Sequence, residues 1–164
     1  MRPQPEPPAP GQESVWDYPR PPRVEPSRER IRIAVGGELV AEAFQSLRVL
    51  ETSHPPSYYL PAAAFVEGAM VPAAGSTVCE WKGRARYADL LGGSARVQRA
   101  AWTYPEPADG FSELLGHWAV MPGGHVTCWI DDEQVVPQQG GFYGGWITRR
   151  VVGPFKGGPG TRGW

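Results

Sequence analysis

Glycine and proline interrupt this chain so often that few segments are long enough for a regular helix. The 164 residues include 21 glycines and 19 prolines, nearly a quarter of the total and above average usage. Between these breaks lie short stretches in which apolar and polar side chains alternate, which is the period of a half-buried strand. The pattern favours turn-rich β structure over a helix bundle.

The strand pattern is clearest in RIRIAV, which ends at Gly36-Gly37. A two-residue hairpin turn needs positive φ angles that glycine adopts freely, so a tight hairpin is predicted there. Similar runs at 47–51, on both sides of Gly83, at 95–104 and within 117–136 predict six or more strands. The best helix candidate is ADGFSELLGH, at 108–117. We predict a mainly β fold: a compact antiparallel β-sheet domain with one or two short helices, because a parallel sheet would need regular crossover helices.

Charge and proline divide the chain into three segments. Residues 1–30 hold nine prolines and equal numbers of acidic and basic side chains, which predicts an extended arm. Trp16 and Tyr18 predict that apolar contacts anchor this arm to the surface of the domain; a disordered arm is the alternative. Residues 31–136 hold seven basic and twelve acidic side chains, a net charge of −5, and form the predicted β domain.

Residues 137–164 form a Gly-rich C-terminal tail with four basic and no acidic side chains. Its aromatic residues would forfeit about 1.5–3 kcal/mol each if left in water. We therefore expect the tail to pack on the acidic domain and close one side of a pocket, either within its own chain or across a homodimer. A mobile basic tail and a phosphate-binding nest are the alternatives.

Overall charge and end sequences limit the function classes. A net charge of −1 gives no general attraction to nucleic acid or anionic membrane. Arg84, Arg86, Arg96 and Arg99 would form a basic strip suited to nucleic acid, but the domain that holds them is acidic overall, so no nucleic-acid partner is predicted. No apolar run would span a bilayer, and the first residues lack a signal-peptide pattern, so we expect a cytoplasmic protein with no membrane partner.

The segment CEWKGRARY, residues 79–87, concentrates reactive side chain types. Alternation along a strand places Glu80 and Lys82 on one face, about 7 Å apart, and Cys79 on the other. In a pocket this acid–amine pair supports general acid–base chemistry, whereas on an open edge it is an ordinary solvated pair. The same alternation argues against Cys79 as a nucleophile activated by Lys82.

A second dense segment, TSHPPSYYLP, holds His54 ahead of two prolines. Prolines restrict the backbone, and a rigidly presented imidazole that titrates near neutrality suits a catalyst. A histidine that only bonds a turn carbonyl is the structural alternative. We predict a pocket with His54, Glu80 and Lys82 as catalytic residues and with ligand-binding walls from six aromatic residues: Tyr58, Tyr59, Trp81, Tyr87, Trp102 and Tyr104.

These segments, with AAWTYPEP and the GGFYGGW ending, together resemble the bacterial domain-of-unknown-function family four-two-seven, in a longer actinobacterial-type version. The resemblance covers roughly residues 31–136 and implies a small, mostly β domain, tent-like or barrel-like. Some resources label this family nucleotidyltransferase-like. The sequence contains neither a GxxxxGK[ST] phosphate loop nor an Asp-x-Asp metal pair to support that label.

No cofactor is predicted. Tent-like β folds often hold zinc, but a structural site needs four nitrogen or sulfur ligands, typically from paired cysteines. Cys79 and Cys128 stand far apart in the sequence and are expected to be free thiols. A three-ligand site from these two and one histidine stays open.

Three functions fit the predicted pocket. The first is an enzyme of unassigned reaction that acts on a small molecule with aromatic or anionic character. The second is a ligand-binding module that uses the same residues without turnover. The third is a structural or interaction module in which the arm or tail forms a homodimer.

Overall fold

The fold is taken from a computed structural model that describes residues 2–164. Within this range the chain forms fifteen strands: β1 (Glu13–Ser14), β2 (Arg23–Ser27), β3 (Ile31–Val35), β4 (Glu38–Ala43), β5 (Ser46–Leu50), β6 (Ser57–Pro61), β7 (Met70–Cys79), β8 (Gly83–Gly92), β9 (Ala95–Thr103), β10 (His117–Val120), β11 (Val126–Ile130), β12 (Glu133–Gln134), β13 (Val136–Pro137), β14 (Trp146–Ile147) and β15 (Val151–Val152). Helical structure is limited to three-residue 3-10 turns, none of which is long enough to cross a membrane. The mainly β prediction is confirmed.

Two antiparallel sheets build the body of the protein. The larger has seven strands in the order β2-β5-β6-β10-β9-β8-β7, and the smaller has four in the order β12-β11-β3-β4. β13 pairs with β14, and β1 pairs with β15 in parallel. Neither sheet closes on itself within residues 2–164, so the barrel-like form of the prediction is wrong.

The main core lies between the two sheets. Ile31, Ile33 and Val35 alternate along β3 and are fully buried against the seven-stranded sheet. β3 continues into β4 through Gly36 and Gly37, both with positive φ, and Val35 pairs directly with Glu38. This is the tight hairpin that the two glycines predict.

The opposite face of the seven-stranded sheet carries a second apolar cluster. Tyr59, Trp102 and Ala119 come from adjacent central strands, and Phe111 and Leu114 cover them. Because successive side chains of a strand point to opposite faces, Tyr58 belongs to the main core and Tyr59 to this second cluster. The candidate site described below lies on this face.

The predicted helix at 108–117 is wrong. Only Ser112–Leu114 is helical, as a 3-10 turn. Gly110 and Gly116, both with positive φ, interrupt the segment on either side of it. Leu114 is buried whereas Leu115 is 59% exposed, so the apolar spacing does not mark one continuous helix face.

The arm and the tail lie on the body. Trp16 and Tyr18 are buried with Leu50 and Val151 in a third cluster. Arg23–Ser27 lies within the predicted arm but forms β2, an edge strand of the larger sheet. Pro26 is compatible with that edge, where a strand can lack one N–H donor. In the tail, the Trp146 side chain is almost fully buried in the main core.

Candidate functional site

The loop 51–56, between β5 and β6, holds His54 in a buried position. Its backbone N–H donates to the carbonyl of Glu51 at 3.0 Å, which closes a turn. The imidazole Nδ1 lies 3.0 Å from the Thr52 carbonyl and 3.8 Å from Glu51 Oε2. A carbonyl only accepts, so Nδ1 carries the hydrogen and the neutral ring keeps its lone pair on Nε2.

The protonation state of His54 follows from its surroundings. Burial lowers the pKa of the imidazole below its ordinary 6.5. The nearby Glu51 carboxylate and the Thr52 carbonyl act to raise it, and the cationic side chains of Lys156 and Arg20 lower it again. The net direction is downward, so His54 is neutral at neutral pH.

Lys82 lies at the tip of the β7–β8 hairpin and is half-buried. Its Nζ stands 5.8 Å from the centre of the Tyr104 ring, within the range of a cation–π contact. Burial acts to lower the pKa of Lys82, but the neighbouring Tyr59, Cys79 and Glu51 outweigh it and raise the pKa above its ordinary value. Lys82 is therefore a cation at neutral pH, and within residues 2–164 it forms no ion pair.

The loop and the hairpin tip face the same cavity, whose volume is about 390 Å³. This falls within the range of small-molecule sites, roughly 300–1,000 Å³. Six aromatic side chains line it: Tyr59, Trp81, Trp102, Tyr104, Phe142 and Tyr143. The remaining lining residues are Glu51, His54, Thr77, Val78, Cys79, Glu80, Lys82, Met121 and Lys156.

The tail supplies one wall of this cavity. Tyr143 stands edge-on to the His54 ring, with 4.8 Å between ring centres, and the Lys156 Nζ lies 5.5 Å from the Tyr143 ring centre. Gly144 follows with a positive φ, and a Cβ there would collide with the Trp102 ring. Glycine at this position therefore lets the tail backbone lie directly against the indole.

Most of the predicted site residues line the cavity, but two of them do not. His54, Glu80 and Lys82 do so, as do Tyr59, Trp81, Trp102 and Tyr104. Tyr58 instead stacks on Trp146 and donates its hydroxyl hydrogen to Glu29. Tyr87 shares a hydrogen bond of 2.6 Å with the Thr77 hydroxyl and lies under the Arg99 guanidinium.

The predicted pairing of Glu80 with Lys82 needs correction. Residues 80–82 form the hairpin turn and not a strand, so alternation does not set their directions. Glu80 is exposed at the cavity rim and makes no ion pair with Lys82. The carboxylate that helps to raise the pKa of Lys82 is that of Glu51. Cys79 also neighbours Lys82, although strand alternation predicted that the two side chains lie on opposite faces.

The sequence predicted that the tail closes one side of a pocket, but it did not single out several lining residues as site residues. Tyr143 and Lys156 lie far from the 51–104 region in sequence, and the available signal was an aromatic pair, Phe142-Tyr143, placed among glycines. Glu51 stood beside His54 in the sequence but carried no pattern of its own. Met121, directly after β10, gave no signal.

Metal ligands are not brought together in the part of the chain that the structure describes. No group of three or more His, Cys, Asp or Glu side chains is placed to hold an ion there. Cys128 is buried in the main core on β11, whereas Cys79 lies at the cavity. The three-ligand alternative therefore does not form.

The comparisons with known proteins address the family. The family model described as Domain of unknown function (DUF427) matches residues 23–132, which confirms the resemblance seen in the sequence. None of the curated proteins compared with the chain is similar enough to count as a relative. The matched range includes His54, Lys82 and the sheet aromatics, whereas Tyr143 and Lys156 lie outside it.

Proposed function

The chain belongs to the DUF427 family, a domain of unknown function, and for this member we propose that the cavity binds a small molecule with an anionic group and an aromatic body, on which His54 acts as a general base. The observation that carries this proposal is the Lys82 ammonium, a cation that lies among aromatic side chains and forms no ion pair with any residue from 2 to 164. A cation in such surroundings is stabilised by an anion, and a ligand carboxylate is the simplest one to supply it.

The geometry of His54 supports proton transfer. Nδ1–H is held by the Thr52 carbonyl, so Nε2 is the basic atom. A proton moves from the ligand to Nε2 while its bonding electrons stay on the ligand. The imidazolium that forms lies near the Glu51 carboxylate, 3.8 Å from Nδ1, and the negative charge on the ligand is stabilised by Lys82.

We assign the base to His54 rather than to Glu80. Glu80 is exposed to solvent at the rim, whereas His54 is buried and neutral at the pH at which a base must accept a proton. Return of the proton from Nε2 to another atom of the same ligand would complete an isomerisation.

Binding is tested with benzoate and its neutral analogue benzamide, by isothermal titration calorimetry on the full chain. We expect benzoate to bind more tightly than benzamide, and Lys82→Met to remove this preference. Arg86→Met is the matched control, since Arg86 is an exposed cation of the same hairpin outside the cavity. Equal affinity for both compounds in the unmodified protein would contradict the proposal.

Catalysis is tested separately with phenylpyruvate, an aromatic carboxylate whose methylene hydrogens are acidic. In D₂O we expect the protein to speed deuterium incorporation at that carbon, and His54→Asn to lose the effect by about 10²-fold or more. Binding without faster exchange would favour a non-catalytic ligand-binding module. Failure of every anionic probe to bind would favour the structural or interaction module, and the homodimer stays a prediction.

A further inference from the structure

Arg20, in the arm, reaches the residues that orient His54. Its Nε lies 3.2 Å from Glu51 Oε2, and its Nη2 donates to the Thr52 carbonyl at 3.0 Å. The same Nη2 approaches the backbone oxygen of Trp164 at 3.2 Å. The Thr52 carbonyl is also the acceptor for His54 Nδ1. Arg20 thus binds the Glu51 carboxylate and the Thr52 carbonyl, which are the two groups that a protonated His54 ring would bind.

We propose that Arg20 is a positioning residue that holds the Glu51 carboxylate and the Thr52 carbonyl, and thereby keeps His54 neutral with its hydrogen on Nδ1. This inference rests on the proposed function, in which the neutral ring is the base. Within residues 2–164 the side chain of Arg20 hydrogen-bonds Glu51, Thr52, Ser53 and Trp164, of which Glu51 alone lines the cavity, so Arg20 acts through the loop and not on a ligand.

The contacts of Arg20 explain the long separation of the histidine and the carboxylate. Glu51 Oε2 is 3.2 Å from Arg20 Nε but 3.8 Å from His54 Nδ1, so the carboxylate pairs with the guanidinium more closely than with the imidazole. The Arg20 and Glu51 side chains are 35% and 21% exposed, which leaves this ion pair only partly screened by solvent. A carboxylate with a fixed cationic partner stabilises an adjacent imidazolium less than a free one does.

Among the residues that the structure describes, four groups face His54 from the elements around it. Glu51 is the anion on its own loop, Arg20 and Lys156 are cations from the arm and the tail, and Tyr143 contributes a neutral ring edge. Loss of Arg20 removes a positive charge, frees Glu51 and leaves the Thr52 carbonyl to His54 alone. All three changes favour the protonated ring, so replacing Arg20 by a neutral residue is expected to raise the pKa of His54.

The experiment is an NMR titration of the imidazole nitrogens in the ¹⁵N-labelled full chain, with His54 assigned by its loss in His54→Asn. In Arg20→Met we expect the titration midpoint of His54 to move to higher pH. Arg23→Met is the matched control, because Arg23 is also in the N-terminal segment and pairs with a carboxylate, at 3.4 Å, that belongs to Glu25 and not to the His54 loop. In Arg23→Met, the titration midpoint of His54 is expected to match that in the unmodified protein.

Arg20→Lys serves as the conservative rescue and is expected to bring the midpoint part of the way back. In a Glu51→Gln background, Arg20→Met should shift the titration midpoint of His54 less, because there is no Glu51 carboxylate left for the substitution to free. If Arg20→Met does not fold, Arg20→Gln gives the same reading, since an amide still donates hydrogen bonds without a charge. A folded variant with an unchanged His54 midpoint would overturn the inference.

This outcome is distinguishable from failure of the proposed function, because the titration needs no ligand. A raised midpoint in a protein that binds no anionic probe supports the role of Arg20 and leaves the proposed function contradicted. An unchanged midpoint in a protein that binds benzoate through Lys82 overturns the role of Arg20 alone.

Discussion

At the scale of single residues, the cavity holds two titratable side chains in opposite protonation states. Burial disfavours the charged form of both His54 and Lys82. The neighbouring groups then set the direction of each pKa: cations from the arm and tail add to the effect of burial at His54, whereas Tyr59, Cys79 and Glu51 overcome it at Lys82. A base and a cation can therefore coexist in one small cavity.

This arrangement predicts a specific pH dependence of stability. The pKa of His54 in the folded protein is below 6.5, the ordinary value that the unfolded chain has. Between these two pKa values the unfolded chain binds a proton that the folded protein does not. The free energy of unfolding is therefore fully kept above pH 6.5 and falls as the pH drops through this window.

Urea unfolding across this window measures the effect. We expect His54→Asn to flatten the decline, and His117→Asn, which alters a half-exposed histidine outside the cavity, to leave it in place. An identical decline in His54→Asn and the unmodified protein would show that His54 does not titrate at lower pH when folded.

Side chain identity alone did not assign residues to the site. Tyr58 and Tyr59 are chemically identical neighbours, and only their phase in β6 sends one to the core and the other to the cavity. For Glu80, the sequence marks the hairpin by Gly83 but not where the turn begins, so the phase of the preceding residues was placed wrongly. His54 was found because two prolines identify its loop directly.

At the scale of elements, a buried charge network joins three strands. Arg48 on β5 is fully buried and donates to Glu13 on β1, with Nη1 to Oε1 at 2.9 Å, and to Glu25 on β2, with Nε to Oε1 at 3.1 Å. Local sequence patterns predicted elements closed by glycine, such as the β3–β4 hairpin, but gave no indication of this network. Its partners lie 35 and 23 residues from Arg48, which single-segment periodicity cannot connect.

We predict that Arg48→Met lowers the free energy of unfolding by about 3 kcal/mol, because it leaves two carboxylates without their buried partner. This is the lower end of the range for such pairs, since Glu13 and Glu25 retain 35% and 31% side chain exposure and can rehydrate. The measurement is urea denaturation, with Arg23→Met as the control at an exposed pair to the same Glu25, where about 0–1 kcal/mol is expected. Equal losses in the two variants would contradict a special role for Arg48.

At the scale of the whole molecule, the two ends of the chain complete the body. β1 and β15 pair in parallel, and Trp16 of the arm and Trp164 of the tail meet edge to face with 5.7 Å between ring centres. Composition indicated that the tail would seek a surface, since it combines aromatic side chains with a charge opposite to that of the domain. It did not indicate which aromatic residue enters the core, because glycine-rich segments carry no periodicity.

Trp146 is that residue, and its removal tests how far the body depends on the tail. Its ring stacks on Tyr58 with 5.1 Å between centres, and its indole N–H donates to the Val120 carbonyl at 3.1 Å. Truncation leaves both a large cavity and an unpaired buried carbonyl. We therefore expect Trp146→Ala to lower the free energy of unfolding by about 3–5 kcal/mol.

Phe142→Ala is the matched control for this substitution. Phe142 is an aromatic residue of the same tail but is 79% exposed, so its truncation is expected to change stability by no more than about 0.5 kcal/mol. Urea unfolding of the two variants separates loss of a core contact from loss of any tail aromatic. If Trp146→Ala were as stable as Phe142→Ala, the tail would be an appendage to an independently stable domain; a large difference means that the family-matched region needs residues beyond residue 132 to complete its core.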